Sequence, residues 1–475
     1  MKRIQYKWLV AIAFVLGQFM EILDTTVINT AIPSLSKEFA TTPATMEWVI
    51  LGYLLSLAIF IPSSGWIGDK YGTKKTFLFA LSVFTLASAL CGQANSIDQL
   101  IIFRVLQGVG GGMLTPVGMA MLYRAFPPEE RARASAVLII PTVIAPALGP
   151  VLGGAIIDHT TWRWIFYINL PIGIIGIAFV ALFLKEHREP RVGRFDFAGF
   201  VLSGLGLSGV LYALSQAPEH GWLSSTVLLT GLGGLIMLAI LIKVETSIAE
   251  PMLALRLYKD RIFRNANLTN TLSYGAFIGF YFLLPQFMQT LLGASAMKSG
   301  LATFPQAIGV IVMSRFVGRW YHTVGPRRLI SFGLLAAGSA TIPFAFLNLN
   351  SSLVTIGALM FLRGCGMAFA FMPLQAATYA NIEAPDTGRA SSINSTQRQT
   401  SAALGVAILA TIFISRTNHL LDSGASTDTA KLGGFHAGFI ASVAIFYLGS
   451  VFAFFKIKDS DAARTMQPRA KTATV

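Results

Sequence analysis

The sequence predicts an all-α membrane protein of fourteen transmembrane helices with both termini in the cytoplasm, and three observations carry that expectation. First, 54% of the 475 residues are hydrophobic and only 12% are charged, about half the usual charged share, with a mean hydropathy of +0.64. A soluble chain of this length needs more charge to cover its surface. Soluble enzymes, disordered chains and disulfide-rich secreted modules are therefore excluded. Second, the apolar residues gather into stretches of about 20 residues, the length that crosses a hydrocarbon core. Third, with the N-terminus inside, 27 of the 36 Lys and Arg fall on the inner side and 5 on the outer. That asymmetry follows the positive-inside rule and calls for an even number of spans.

In order, the spans read as 8–33, 47–67, 77–95, 98–122, 134–157, 164–184, 197–216, 226–245, 263–292, 300–318, 329–347, 353–377, 391–414 and 435–455. The first follows Met1-Lys2-Arg3 as a signal peptide would. It is too long for a signal core and ends in a polar motif instead of a small-residue cleavage site, so it reads as an uncleaved helix. Spans two and three flank a short glycine-bounded basic loop. Span four carries Arg104, and span five is interrupted by Pro141, Pro146 and Pro150. The outer loop 415–434 and the tail 456–475 are polar and are expected to be mobile.

An internal repeat divides the chain. Gly65-x3-Asp69-x2-Gly72-x-Lys74-Lys75 recurs 253 positions later as Gly318-x3-His322-x2-Gly325-x-Arg327-Arg328. Arg133-Ala134-Ser135 and Ala147-Leu148-Gly149 recur 256 positions later as Arg389-Ala390-Ser391 and Ala403-Leu404-Gly405. Matching order means two homologous halves. The expected organisation is an N-terminal six-helix bundle (1–184), two inserted linker helices (197–245), a C-terminal six-helix bundle (263–455) and a cytoplasmic tail (456–475). Parallel repeats of six spans describe a secondary transporter whose binding site lies at the midplane between the halves.

The candidate functional residues follow from cost. A carboxylate near the middle of a span costs about 2.5–3.5 kcal/mol on insertion scales. Asp24 is therefore a candidate for proton coupling, Glu21 shares its helix face, and Arg104 is the buried partner available in the same half. A carboxylate whose water access and distance from a guanidinium alternate would take up and release protons. The competing reading is a static ion pair that only fixes helix packing. In the loop, Gly65 and Gly72 permit a tight turn, while Asp69, Lys74 and Lys75 can bond each other or the helix ends of the other half. The loop is thus either a conformational latch or a solvated basic turn. Ala145, Gly149 and Gly153 recur every four residues, which lets helix backbones approach closely. Asn270, Tyr274, Phe277, Tyr281 and Met288, with Gln286 nearby, form a polar-aromatic stripe in span nine. That stripe is either helix packing or one wall of an amphipathic cavity. Arg363 and Gln375 could line the opposite side. Arg398 is expected to snorkel to the inner interface.

Several motifs resemble one family. Gly65-Trp66-Ile67-Gly68-Asp69-Lys70-Tyr71-Gly72-Thr73-Lys74-Lys75 resembles the signature loop of the major facilitator superfamily. Ile22-Leu23-Asp24-Thr25-Thr26-Val27-Ile28-Asn29-Thr30-Ala31-Ile32-Pro33 is similar to the first-helix motif of its fourteen-span drug:proton antiporters, the EmrB/QacA type. Arg104-x2-Gln107-Gly108-x-Gly110 is similar to that family's fourth-helix motif. Ala145-Pro146-Ala147-Leu148-Gly149-Pro150-x2-Gly153-Gly154 is similar to its antiporter motif, and Trp162-Arg163-Trp164-Ile165-Phe166-x2-Asn169-x-Pro171 resembles the start of its sixth helix. His322 departs from the acid often found in the second loop. The resemblance implies the major facilitator fold and a bacterial inner-membrane exporter. It implies energy from the proton gradient with no cofactor and coupling at the position of Asp24, and it does not fix the substrate; the aromatic stripe of span nine favours small amphipathic or lipophilic compounds, read as multidrug cargo. A monomer in contact with membrane lipid is expected, and family analogy alone admits a periplasmic adaptor. The rival readings are export of a lipid, metabolite or amino acid by the same fold, and a non-transporting sensor or membrane enzyme.

Other signals are discounted. The formal charge of +14 comes without an aromatic-basic motif, so nucleic acid is not a partner. Gly204-Leu205-Gly206-Leu207-Ser208-Gly209 lies inside an apolar span with no preceding strand, so it does not read as a nucleotide loop. The histidines lack ligand spacing, and Cys91 and Cys365 sit in apolar runs, so neither a metal site nor a disulfide is expected.

Overall fold

The computed structural model of the chain describes residues 5–41, 43–190, 192–248 and 251–466. Its long helices are α1 (Tyr6–Glu38), α2 (Pro43–Tyr71), α3 (Thr73–Gly92), α4 (Ile97–Ala125), α5 (Arg131–His159), α6 (Asn169–Phe183), α7 (Phe197–His220), α8 (Ser225–Ser247), α9 (Arg261–Thr290), α10 (Pro305–Val324), α11 (Pro326–Thr341), α12 (Leu353–Thr378), α13 (Thr387–Asp422) and α14 (Thr427–Lys456). Short helices Arg163–Tyr167 and Ala296–Thr303 precede α6 and α10. Among the described residues, twelve helices are long and apolar enough to cross a membrane. Helix α5 is not one of them, and neither is α9. In α9, Asn265, Asn267 and Asn270 are buried against other helices, so this face is shielded from lipid and need not be apolar.

The packing repeats as the sequence does. Helix α2 packs on α4, α3 on α4, α1 on α5 and α3 on α6. Eight helices later α10 packs on α12, α11 on α12, α9 on α13 and α11 on α14. The halves meet where α2 crosses α13 and where α5 crosses α10, two contacts that the same shift exchanges. Close backbone approach holds each bundle. A Cβ at Gly405 would strike the backbone of Gly275, and one at Gly149 would strike Thr26, so α13–α9 and α5–α1 are joined through the same repeat position. Helices α7 and α8 pack on each other. α7 also lies across the α2–α13 seam, where Leu207 and Leu211 bury against Ala58.

Two segments expected to be mobile are ordered. In 415–434, α13 continues to Asp422, and Ser426 accepts the Thr429 N–H to start α14. The tail docks as far as Met466. Thr465 Oγ1 lies 2.7 Å from Tyr321 Oη, and Asp459 Oδ1 accepts the Arg327 N–H at 2.9 Å. The cause is the free N–H groups of the first turn of α11, which need an acceptor. Glu186 does the same for α3, accepting Lys74 N–H at 2.9 Å and Lys75 N–H at 3.2 Å. Residues 467–475 of the expected tail lie outside the described residues.

Gly405→Leu should destabilise the protein by about 1–3 kcal/mol through overpacking. Gly233→Leu, where a Cβ meets nothing within 4 Å, should be near neutral. Thermal unfolding in detergent checks the pair, and equal Tm values would contradict the α9–α13 seam.

Candidate functional site

Asp24 is 1% exposed and Arg104 0%. The helical register of α4 places Arg104 and Gln107 on one face, turned to α1. Arg104 Nη1 donates to Asp24 Oδ2 at 2.5 Å and to Gln107 Oε1 at 2.7 Å, and its Nε donates to the Val49 carbonyl at 3.1 Å. Gln107 Nε2 and Asn169 Nδ2 each donate to Asp24 Oδ1 at 2.9 Å. Both amides also donate to Ser88 Oγ, which donates in turn to the Phe166 carbonyl. The Tyr53 ring lies 4.3 Å from the guanidinium carbon. The Asp24 carboxyl is thus held by one guanidinium and two amide donors away from water, an arrangement that strengthens every bond in it.

Glu21, one turn earlier, is only half-buried and accepts the Thr115 hydroxyl at 2.6 Å. Across the boundary between the halves, Arg398 of α13 lies within electrostatic range of Glu21. The expected snorkelling of Arg398 is corrected: it donates to Tyr274 Oη at 3.1 Å and stacks 4.7 Å from that ring. A phenol and an aromatic face inside the protein hold the guanidinium there instead of the interface. Phe277 packs on Tyr274, Tyr281 and Phe371, and Ile144 of α5 packs against the same cluster. Asn270 is buried with its Oδ1 unpartnered, Gln375 is buried with its Oε1 unpartnered, and Gln286 is half-buried. Met288 is buried in a separate cluster with Phe287, Phe344 and Phe435. Arg363 is buried on the second-half side of Phe277.

The end of the bundle that carries the termini is closed across the halves. Gly65 N–H donates to Ser392 Oγ at 2.9 Å, and a Cβ at Gly65 would strike the Gly388 carbonyl, so only glycine lets α2 meet α13 here. Asp69 abuts the first turn of α13 at Gly388, where free N–H groups favour an anion. Its side-chain partner is Arg124, at 2.7 Å, which also reaches Glu189 at 3.3 Å and the Ala384 carbonyl at 3.2 Å. Lys74 donates instead to the Ala181 carbonyl at 2.7 Å, and Lys75 is exposed. Gly72 has φ +102° and is the N-cap of α3. Tyr123 and Tyr379, related by the 256-residue repeat, stack with centroids 4.0 Å apart. Arg131 donates to the carbonyls of Tyr379, Ala380 and Ile382 at the end of α12. In α5, Ala145 and Gly153 are buried and Pro150 is half-buried within a continuous helix, while Gly154 faces Met297.

Gln107, Asn169, Ser88 and Tyr53 around Asp24, and Arg124, Arg131, Tyr123 and Tyr379 at the closed end, were not singled out as site residues from sequence. Gln107 and Asn169 stand inside the motifs quoted above, and the 256-residue repeat relates the two tyrosines. Nothing in the local sequence marks Arg124.

The family description Major Facilitator Superfamily fits residues 14–406 and again 268–473. The "Multidrug resistance protein B homolog" of Mycobacterium tuberculosis is 35% identical over 410 residues, covering 85% of this chain and 76% of the relative. The "Multidrug export protein EmrB" of Escherichia coli is 31% identical over 416 residues, covering 86% and 80%. The crystal structure of the human organic anion transporter MFSD10 superposes with a TM-score of 0.67 at 16% identity, covering 94% of this chain and 99% of that one, a likeness of fold alone.

Removing one partner of a buried pair strands the other charge. Arg104→Met should therefore cost about 3–5 kcal/mol. Adding Asp24→Asn should recover most of that loss. Denaturation of the two variants in detergent measures the recovery, and none at all would contradict the pairing.

Proposed function

Because the chain belongs to the major facilitator superfamily, we propose that it is a proton-coupled exporter of amphipathic or lipophilic compounds working by alternating access. Membership makes it a multi-pass membrane transporter and not an enzyme. Its multidrug-named relatives support efflux of small molecules. The finer reading is a fourteen-span protein of the bacterial inner membrane with both termini cytoplasmic. The concentration of Lys and Arg at the end carrying the termini supports that orientation. On this reading the closed end is the cytoplasmic gate, and Asp69, Arg124 and the α13 first turn are its latch. A monomer is proposed, and an adaptor rests on analogy with the relatives alone.

The observation that carries the coupling is the Asp24 cluster and its neighbour across the boundary. Asp24 is paired with Arg104 within the first half, whereas Glu21, on the same face, lies within electrostatic range of Arg398 of the second half. Rocking one half against the other changes the Glu21–Arg398 separation and opens a water path to α1. The carboxylate pair then gains or loses a proton with the state of the gate. A proton taken from the acidic outside and released inside drives the gate cycle, and cargo leaves in exchange. The Tyr274–Phe277–Tyr281–Phe371 wall supplies an apolar, adaptable surface for varied cargo.

Asp24→Asn should insert, fold and still bind cargo, while gradient-driven uphill efflux from loaded proteoliposomes falls to background. Uphill efflux retained by that variant would move the coupling role to Glu21 or elsewhere.

A further inference from the structure

Arg363 stands where the repeat places Gln107, one turn along the helix from the position of Arg104, and its electrostatic setting differs from that of Arg104. Both arginines are 0% exposed. Arg104 is neutralised by Asp24. Where Asp24 stands against Arg104, the residue 256 positions later, Phe280, lies 4.0 Å from the Arg363 guanidinium carbon. Phe446 and Phe277 lie at 5.5 and 5.6 Å. The polar partners of Arg363 are neutral: Nε donates to Thr341 Oγ1 at 3.1 Å and Nη1 to Gln306 Oε1 at 2.9 Å. The sequence holds no Asp or Glu between Asp260 and Glu383. The later acids of the second half lie at helix ends or beyond them, Asp386, Asp422 and Asp428 at the ends of α13 and α14 and Asp459 and Asp461 in the tail.

The groups left over are donors. Arg363 Nη2, Gln306 Nε2 and Tyr281 Oη have no hydrogen-bond partner within the protein, and all are buried. Gln306 Nε2 belongs to the amide that already accepts from Arg363, and Tyr281 lies within electrostatic range of the guanidinium. Aromatic faces soften the cost of a buried cation without supplying a counter-charge. A cluster of unpartnered donors with one positive charge is complementary to an anion and repels a cation. A planar carboxylate matches the guanidinium fork, and the adjoining Phe277, Tyr281 and Phe371 would take an apolar body.

We propose that Arg363, with Gln306 and Tyr281, binds the acidic group of the cargo, so that the exported class is amphipathic carboxylates and similar monoanions. This rests on the exporter reading above and specifies its substrate site. Arg363 then exchanges Phe280 for the cargo's carboxylate when the site opens, and the cargo stands against it as Asp24 stands against Arg104 and Gln107 in the first half.

The test uses three matched probes, 2-naphthylacetate, 2-naphthylacetamide and 2-naphthylethyl-trimethylammonium, with equilibrium binding to the purified full chain in a gluconate buffer. Wild type should bind the acid about tenfold or more tighter than the amide and bind the cation least. Arg363→Gln should erase the preference while amide binding persists. Gln306→Glu, which gives Arg363 an internal carboxylate and keeps the side-chain shape, should erase it without loss of folded protein. Equal binding of all three probes by wild type, or an acid preference that survives both substitutions, would overturn the assignment. If chloride is the natural occupant, replacing gluconate with chloride raises the Tm of wild type but not of Arg363→Gln, and the acid shows no advantage; that result also overturns it. Proton-driven efflux of the neutral or cationic probe without acid preference sinks this inference and leaves the exporter reading standing. Acid-selective binding without any proton-driven efflux does the reverse.

Discussion

The carboxyl group of Asp24, buried inside a bundle that faces lipid, is the constraint on which the first half is built. Such a group is tolerable only if every lone pair is answered, and α1, α3, α4 and α6 each contribute to the answer. Arg104 supplies the charge, Gln107 and Asn169 the remaining donors, and Ser88 fixes the two amides. The packing of these four helices follows from satisfying one buried carboxyl group. The same arrangement makes the site responsive. On the proposed mechanism, admitting water to α1 or shifting Glu21 relative to Arg398 changes the balance of that carboxyl group.

The two halves share a scaffold and divide the chemistry. Helix pairs repeat faithfully between them, and Tyr123 and Tyr379 even stack on one another across the repeat axis. Yet the acid lies in one half only. The first half keeps its arginine neutralised from within, and the second keeps one beneath aromatic rings with hydrogen-bonding capacity to spare. The proposed exchange uses this asymmetry, one half holding the proton and the other presenting a surface to cargo. Helix α7, laid across the α2–α13 seam, ties the inserted pair to the boundary between the halves.

Much of this was legible in the sequence, and the failures have physical causes. Spans were readable because lipid imposes a composition on any helix that faces it. The repeat was readable because glycines at close approaches, such as Gly149 and Gly405, are fixed by backbone contact. The identity of side-chain partners was not. Asp69 was expected to bond the lysines beside it or the helix ends of the other half; it abuts the first turn of α13, but Arg124, from the end of another helix, is its side-chain partner. Arg398 was assigned to the interface by its charge, but Tyr274 on a different helix holds it inside. The polar stretch after α13 and the residues up to Met466 looked mobile because their partners, free helix ends such as that of α11, are visible only in three dimensions.

The central claim is that cargo and proton compete through the Asp24–Glu21 pair, and the most direct measurement is of the proton itself. Purified protein in a weakly buffered detergent solution should release protons when a saturating cargo is added, seen with a pH-indicating dye, and Asp24→Asn should release fewer or none. Cargo binding by wild type with no change in pH, or the same release from Asp24→Asn, would contradict the coupling.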